Sequence, residues 1–336
     1  MKKTKFWSSY FIFFLFLVVL ILLTNCTHSA FELSNQNASK ETERLYNYIK
    51  NQQGRSIISG QQDLSNAEWI KQMTGNYPAI VGFDFYDYSS ASKLAHGGKS
   101  YQVEQAIQWH NKNGIVTFCW HWVAPNMKYN ENWSNGFYTR YTDFNVEYAL
   151  DHPKSNDYKM IIKDIDLIAV QLKRLQKANV PILFRPLHEA EGKWFWWGAK
   201  GPKYAKKLYI LLYNRLTHYH KLNNIIWVWS STSKQWYPGD KYVDIIGYDY
   251  YTKPMDTDPV LSKYKQLSEF NKPVALTETG TIPDPLLVNK TNASWSWFME
   301  WRDDFLKDGS YNKLEYLKYV YNNSYVITLE RLPKLK

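Results

Sequence analysis

Tyr158–Glu189 reads YKMIIKDIDLIAVQLKRLQKANVPILFRPLHE. Its first part sets Ile161, Ile165, Ile168, Leu172 and Leu175 at helical spacing, one apolar stripe on a polar cylinder. Asn179 stands where a helix C-terminal cap is expected. Val180–Glu189 then runs apolar at strand length and ends on Arg185, His188 and Glu189. A strand apolar on both faces is covered on both faces, as in a parallel sheet flanked by helices.

The same unit recurs in both directions. Further strand-like runs are Arg55–Gly60, Pro78–Phe85, Gly114–His121, Asn224–Ser230, Val243–Tyr250, Pro273–Glu278 and Ser296–Trp301. Helical patterns cover Val103–Asn113, Lys203–Leu222 and Val260–Phe270. Eight strands alternating with helices predict a (β/α)8 TIM barrel in a single catalytic domain. The rival doubly wound sheet normally carries a glycine-rich phosphate turn, and no G-x-G-x-x-G or P-loop occurs here. In a barrel, chemistry sits where strands end. Those ends read His121, His188 and Glu189, Trp229 and Ser230, Asp249 and Tyr251, Glu278, then Trp301 and Arg302.

The composition points the same way. Of 336 residues 17% are aromatic, with 15 Trp and 27 Tyr. Indole and phenol rings beyond what a core needs suit the flat faces of sugar rings or bases. The net charge of +10 is spread along the chain rather than clustered, which argues against a nucleic-acid partner. Met1–Lys5 holds three Lys, Phe6–Leu23 is apolar, and Cys26 follows, so residues 1–25 read as a lipoprotein-type signal peptide. The alternative is an uncleaved membrane anchor. Either way the chain is expected to be exported from a bacterial cell. It would then be anchored through Cys26 in the outer membrane, periplasmic, or secreted. Residues 26–40 are read as a linker and 41–336 as the catalytic domain. The other cysteine, Cys119, lies in an apolar run and reads as a buried thiol. A monomer is expected.

Two strand-end carboxyls carry the chemistry. Glu189 is followed by Trp194, Phe195, Trp196 and Trp197. A carboxyl walled by rings is desolvated, stays protonated and serves as a general acid; otherwise it is a solvated glutamate opening a loop. Glu278 closes VALTETG and reads either as an ionised nucleophile or as a helix N-terminal carboxylate. In a barrel the fourth and seventh strand ends face each other. One protonated and one ionised carboxyl are the parts needed for glycoside hydrolysis. Arg185, on the strand of Glu189, would either help keep Glu278 ionised or form a purely structural ion pair. HEAEG lacks the second histidine of H-E-x-x-H, so neither a metal nor a cofactor is expected. Trp69, Trp109 and Trp227 read as core; Trp120, Trp122 and Trp133 read as core or cleft.

Phe184–Gly198, FRPLHEAEGKWFWWG, resembles the acid/base segment of glycoside hydrolase family 26, best known for β-mannanases. Ala275–Gly280 resembles its nucleophile segment, and Tyr242–Tyr251 and Trp297–Asp304 resemble its sixth- and eighth-strand segments. The resemblance implies the barrel fold and a retaining double displacement, with Glu189 as acid/base and Glu278 as nucleophile. By position His188 and Trp194 match the subsite of the reacting sugar. Tyr251, two residues after Asp249, matches the partner of the nucleophile. Trp301 and Arg302 match the non-reducing side of the cleft, and His121 matches a further substrate contact. The implied substrate is a β-1,4-mannan, galactomannan or glucomannan. Alternatives are another β-glycan (β-1,3-xylan or mixed-linkage glucan), exo-acting release of mannobiose, or glycan binding without catalysis. One departure stands out: Ala190-Glu191 occupies the place where many members carry Met-Asn. Glu191 is where substrate preference is expected to differ.

Overall fold

All eight apolar runs fold as strands, and all eight pair in parallel. The structure, a computed structural model, describes residues 33–96, 99–127 and 136–335. The signal peptide, Cys26 and Trp133 lie outside the described residues. The chain divides into two units at Leu33, and the second, Leu33–Lys336, holds the barrel.

The strands are β1 (Ile57–Gln62), β2 (Ile80–Asp84), β3 (Ile115–Cys119), β4 (Ile182–Arg185), β5 (Ile225–Ser230), β6 (Ile245–Tyr250), β7 (Val274–Thr279) and β8 (Trp297–Glu300). Each hydrogen-bonds to the next and β8 closes onto β1, with a short β9 (Val326–Ile327) added beside β1. The main helical stripe becomes a helix at Asn156–Lys177, started by Ser155, whose side chain accepts from the Tyr158 N–H.

Burial on both strand faces resolves into two cores. Ile58, Ile80, Ile115, Leu183, Ile226, Val228, Ile245, Ala275, Trp297 and Met299 pack together inside the barrel. Their neighbours Ile57, Val81, Val116, Ile182, Phe184, Trp227, Ile246, Leu276 and Phe298 pack outward against the helices. This is the period-two alternation of a strand with both faces apolar.

The barrel floor is plugged by helix Lys40–Gln52, whose Leu45, Tyr46 and Ile49 join the inner core with Leu33. The Ser34 N–H donates to Asp244 Oδ1 at 2.6 Å and the Ser39 N–H to the Asn223 carbonyl at 2.8 Å. From Leu33 onward, then, the segment read as linker lies on the folded domain. Asn223 and Asp244 lie within two residues of the starts of β5 and β6, so this segment packs at the face opposite the strand ends that carry the chemistry.

Candidate active site

Leu183 points into the barrel, so Arg185, two residues on, also turns inward at the mouth. Beyond Arg185 the chain makes a tight turn with Leu187 and Glu189 both at φ 53°. Non-glycine residues in this left-handed region cost on the order of 1 kcal/mol or more and persist where the surroundings hold them. Here the Glu189 N–H donates to the Ser230 carbonyl at 3.2 Å, and Trp197 Nε1 donates to the His188 carbonyl at 2.9 Å. The turn thus delivers His188 and Glu189 to the cleft although both lie past the end of β4.

Glu278 reaches the cleft by a different device. Along β7, Ala275 faces the barrel interior, so simple alternation would send Glu278 outward. The β6–β7 register shifts after Tyr248, and Asp249 pairs with Glu278 rather than Thr277. The extra residue is a bulge, which re-aims the side chains beyond it. Thr277 Oγ1 donates to Asp249 Oδ1 at 2.7 Å, and Glu278 turns to meet Arg185 and Tyr251.

Arg185, Asp249 and Glu278 form a buried ionic cluster with side chains 5%, 2% and 5% exposed. Arg185 Nη1 donates to Asp249 Oδ2 at 2.7 Å, and Nη2 donates to Glu278 Oε1. Burial opposes the guanidinium charge, but Asp249 and Glu278 outweigh it and raise the Arg185 pKa. Tyr251 Oη donates to Glu278 Oε2 at 2.6 Å, so each oxygen of Glu278 accepts from a donor. Burial pushes Asp249 up to about 6, with Arg185 opposing and Glu278 adding to the shift. Ser230 Oγ donates to Asp249 Oδ2 at 2.7 Å.

Replacing Arg185 with Met leaves two buried carboxyls without their cation. Breaking a buried pair in this way costs about 3–5 kcal/mol. Arg185→Met is expected to lower the melting temperature by roughly 10 °C in calorimetry; an unchanged melting temperature would show the cluster to be dispensable for folding.

Glu189 sits in a different field. Burial, then the charges of Asp249 and Glu278, push its carboxyl up to about 8. The hydrogen bond from Trp194 Nε1 to Glu189 Oε2, 2.9 Å, works against this and is outweighed. Burial and the neighbouring charges both favour the protonated form of Glu189 at neutral pH. Trp194 is 48% exposed and Tyr251 37%, so both present ring surface to the cleft.

His188 is 1% exposed; burial and the neighbouring Arg185 and His121 push its pKa well down, leaving it neutral. Its Nε2 lies 3.2 Å from His121 Nε2, and His121 Nδ1 lies 2.5 Å from Asp84 Oδ2. Asp84 also accepts the N–H groups of His121 (3.0 Å) and Tyr86 (2.9 Å) through Oδ1. Sequence reasoning passed over Asp84, although it is the last residue of β2 and so stood at a strand end. Asp84, Cys119 and His121 offer ligand-type atoms within 4.8 Å of one another. Those of Asp84 and His121 are bonded to each other, and the Cys119 thiol donates to the Phe83 carbonyl at 3.6 Å.

A cavity of about 730 Å³ opens beside His121, lined by Gln62, Asp84, Tyr86, Trp301 and Arg302 among others. Trp301 is half-buried, its ring 6.1 Å from that of His121, and Arg302 is exposed next to Asp303. Of the strand-end residues, His121, His188, Glu189, Ser230, Asp249, Tyr251, Glu278 and Trp301 lie close together, whereas Trp229 packs outward against Tyr237 and Phe270.

Some aromatic and acidic assignments change. Trp120 and Trp122 are 1% and 0% exposed and stack at 4.0 Å, so they are core and not cleft. Trp196 and Trp197 are also fully buried, leaving Trp194 as the indole of its run that faces solvent. Glu191 is spent on the protein: Oε1 accepts from the N–H and hydroxyl of Thr232 at 3.0 and 2.6 Å, and Oε2 from the Ser233 N–H at 3.1 Å. It ties the turn after β4 to the loop after β5, a role that a preference for particular sugars does not require.

A (β/α)8 barrel with a protonated carboxyl after β4, a second carboxyl gripped by donors on β7, and exposed rings beside both has the site plan of a glycoside hydrolase. The glycosyl hydrolase family 26 model matches residues 34–331, and the chain belongs to that family. It is 46% identical over 306 residues to a mannan endo-1,4-β-mannosidase of Thermothelomyces thermophilus, covering 89% of this chain and 63% of that protein. Mannan endo-1,4-β-mannosidase B of Piromyces is 34% identical, covering 90% of this chain and 53% of that protein. The chain thus spans between half and two thirds of these relatives. Among solved structures, the Podospora anserina GH26-CBM35 β-(1,4)-mannanase superposes with a TM-score of 0.87 at 47% identity, covering 90% of this chain and 69% of that one. A β-mannanase from a symbiotic protist of the termite Reticulitermes speratus, complexed with a gluco-manno-oligosaccharide, superposes at 0.81 with 31% identity, covering 90% and 97%.

Proposed function

We propose that the chain is a retaining endo-β-1,4-mannanase that cleaves mannan, galactomannan or glucomannan by double displacement. The observation that carries the reading is the contrast between the two carboxyls. Glu189 is held protonated by burial and by neighbouring negative charge, while Glu278 accepts from Arg185 and Tyr251. Glu278 attacks the anomeric carbon as Glu189 protonates the departing oxygen; Glu189 then takes a proton from water as it displaces Glu278. Trp194 supplies a ring face for a pyranose, and His188, His121, Trp301 and Arg302 contact the sugars. The names of the relatives support β-1,4-mannan as substrate and endo cleavage as the mode.

The acid form of Glu189 is the competent one. kcat/KM is therefore expected to hold below about pH 8 and to fall as pH rises through about 8. Initial rates on mannan, galactomannan, β-1,3-xylan and mixed-linkage glucan test both points. Mannan cleavage into a ladder of oligosaccharides, with an alkaline limb near pH 8, supports the reading. Preferred cleavage of another glycan, or release of mannobiose alone, refutes its substrate or its mode.

We also propose export and lipidation at Cys26, supported by the basic and apolar segments before it. A mass increment on the N-terminal peptide that is absent in Cys26→Ser tests this.

A further inference from the structure

Glu300, the last residue of β8, is fully buried and has no cation beside it among the described residues. Its Oε1 accepts from Asn312 Nδ2 at 2.8 Å, and its Oε2 has no partner among the described residues. Gln61 is its register partner on β1, donates Nε2 to the Glu300 carbonyl at 3.2 Å, and leaves a buried Oε1 without a partner. Two acceptors without donors thus lie on paired register positions of β1 and β8, and a proton on Glu300 Oε2 would turn one of them into a donor. Burial pushes the Glu300 carboxyl well above the usual range, consistent with a neutral acid.

Asn312 is 1% exposed and joins the loops that follow β7 and β8. Besides Glu300, its Nδ2 donates to the Gly280 carbonyl at 2.7 Å and the Phe305 carbonyl at 3.1 Å, while its Oδ1 accepts from the Ile282 N–H at 3.0 Å. Gly280 and Ile282 directly follow β7, and Phe305 follows β8. A Cβ on Gly280 would come within 2.8 Å of the Phe305 ring, so the two loops pack at closest approach. The Phe305 ring lies 4.9 Å from that of Tyr251, whose hydroxyl donates to Glu278.

We infer that Glu300 and Asn312 are positioning residues that act through Phe305 and Tyr251 to hold Glu278 in its attacking orientation. The inference rests on reading Glu278 as the nucleophile. Neither residue touches substrate, so the loss on substitution falls on kcat rather than KM.

Kinetics on manno-oligosaccharides, below the melting temperature of every variant, test it. Asn312→Ala is expected to lose about tenfold in kcat with KM within about twofold. Glu300→Gln, which is uncharged like the protonated acid and keeps an acceptor for Asn312, is expected to keep wild-type kcat, while Glu300→Ala loses as Asn312→Ala does. In a Tyr251→Phe background the Asn312→Ala loss is expected to shrink, because the two changes interrupt one path. Wild-type kcat in Asn312→Ala, a full tenfold loss in the Tyr251→Phe background, or equal losses in Glu300→Gln and Glu300→Ala would overturn it. Failure of the nucleophile reading shows separately, as activity retained by Glu278→Ala.

Discussion

Glu278→Ala is expected to lose at least about 10⁴-fold in kcat on manno-oligosaccharides, with the fold intact. Removing a nucleophile abolishes the covalent route, and losses of this size or larger follow. The position of Glu278 makes the prediction sharper. Its side chain is buried and gripped at both oxygens, so the attacking group is held in one orientation that an alanine cannot supply. The alanine leaves a space on the face from which Glu278 attacks. A small anion such as azide, supplied with an activated aryl β-mannoside, should enter that space and form the α-mannosyl azide by a single inversion. A variant with near-normal activity, or a rescued product of β configuration, would assign the nucleophile elsewhere.

Glu189→Ala is expected to lose about 10²–10⁴-fold on polysaccharide, the usual contribution of a positioned general acid. The loss should depend on the leaving group. Cleaving a sugar–sugar bond needs a proton on the departing oxygen, whereas an activated phenol departs as its anion. Aryl mannosides should therefore still form the glycosyl-enzyme, and the slow step moves to its hydrolysis, where Glu189 acts as base. Azide in this variant should yield the β-mannosyl azide, since it displaces Glu278 from the opposite face. The alkaline limb near pH 8 should also vanish, because the group that produces it is gone. A limb that persists would assign it to another residue.

The barrel was readable because burial on both faces makes every strand apolar along its length, and eight such runs leave few architectures. Glu189 and Glu278 were readable because a carboxylate at the end of an apolar strand is out of place in a core. How they reach the cleft was not. Glu278 depends on the bulge at Thr277, and a one-residue shift of register has no mark in a run as short as VALTETG. Glu189 depends on positive φ at Leu187 and at Glu189 itself, positions that a sequence announces only when they are glycine or asparagine.

Aromatic count was a weaker guide than position. Of the indoles after β3 and β4, Trp120, Trp122, Trp196 and Trp197 are core, because a residue's neighbours in three dimensions decide its exposure. Glu191 shows the same limit. Beside a catalytic acid it reads as a specificity group, yet its partners Thr232 and Ser233 lie on a loop some forty residues away. Asp84 went unnoticed for the opposite reason. It stands inside the run Pro78–Phe85 rather than closing it, and its importance lies in the bond to His121 across β2 and β3.

The most direct test follows the anomeric proton by NMR during the first minutes of manno-oligosaccharide hydrolysis, before mutarotation. Double displacement through Glu278 predicts that the newly formed reducing end appears first as the β anomer, with the α anomer growing in later. Initial release of the α anomer would mean that water attacks directly, and would contradict Glu278 as nucleophile and Glu189 as the acid/base of a double displacement.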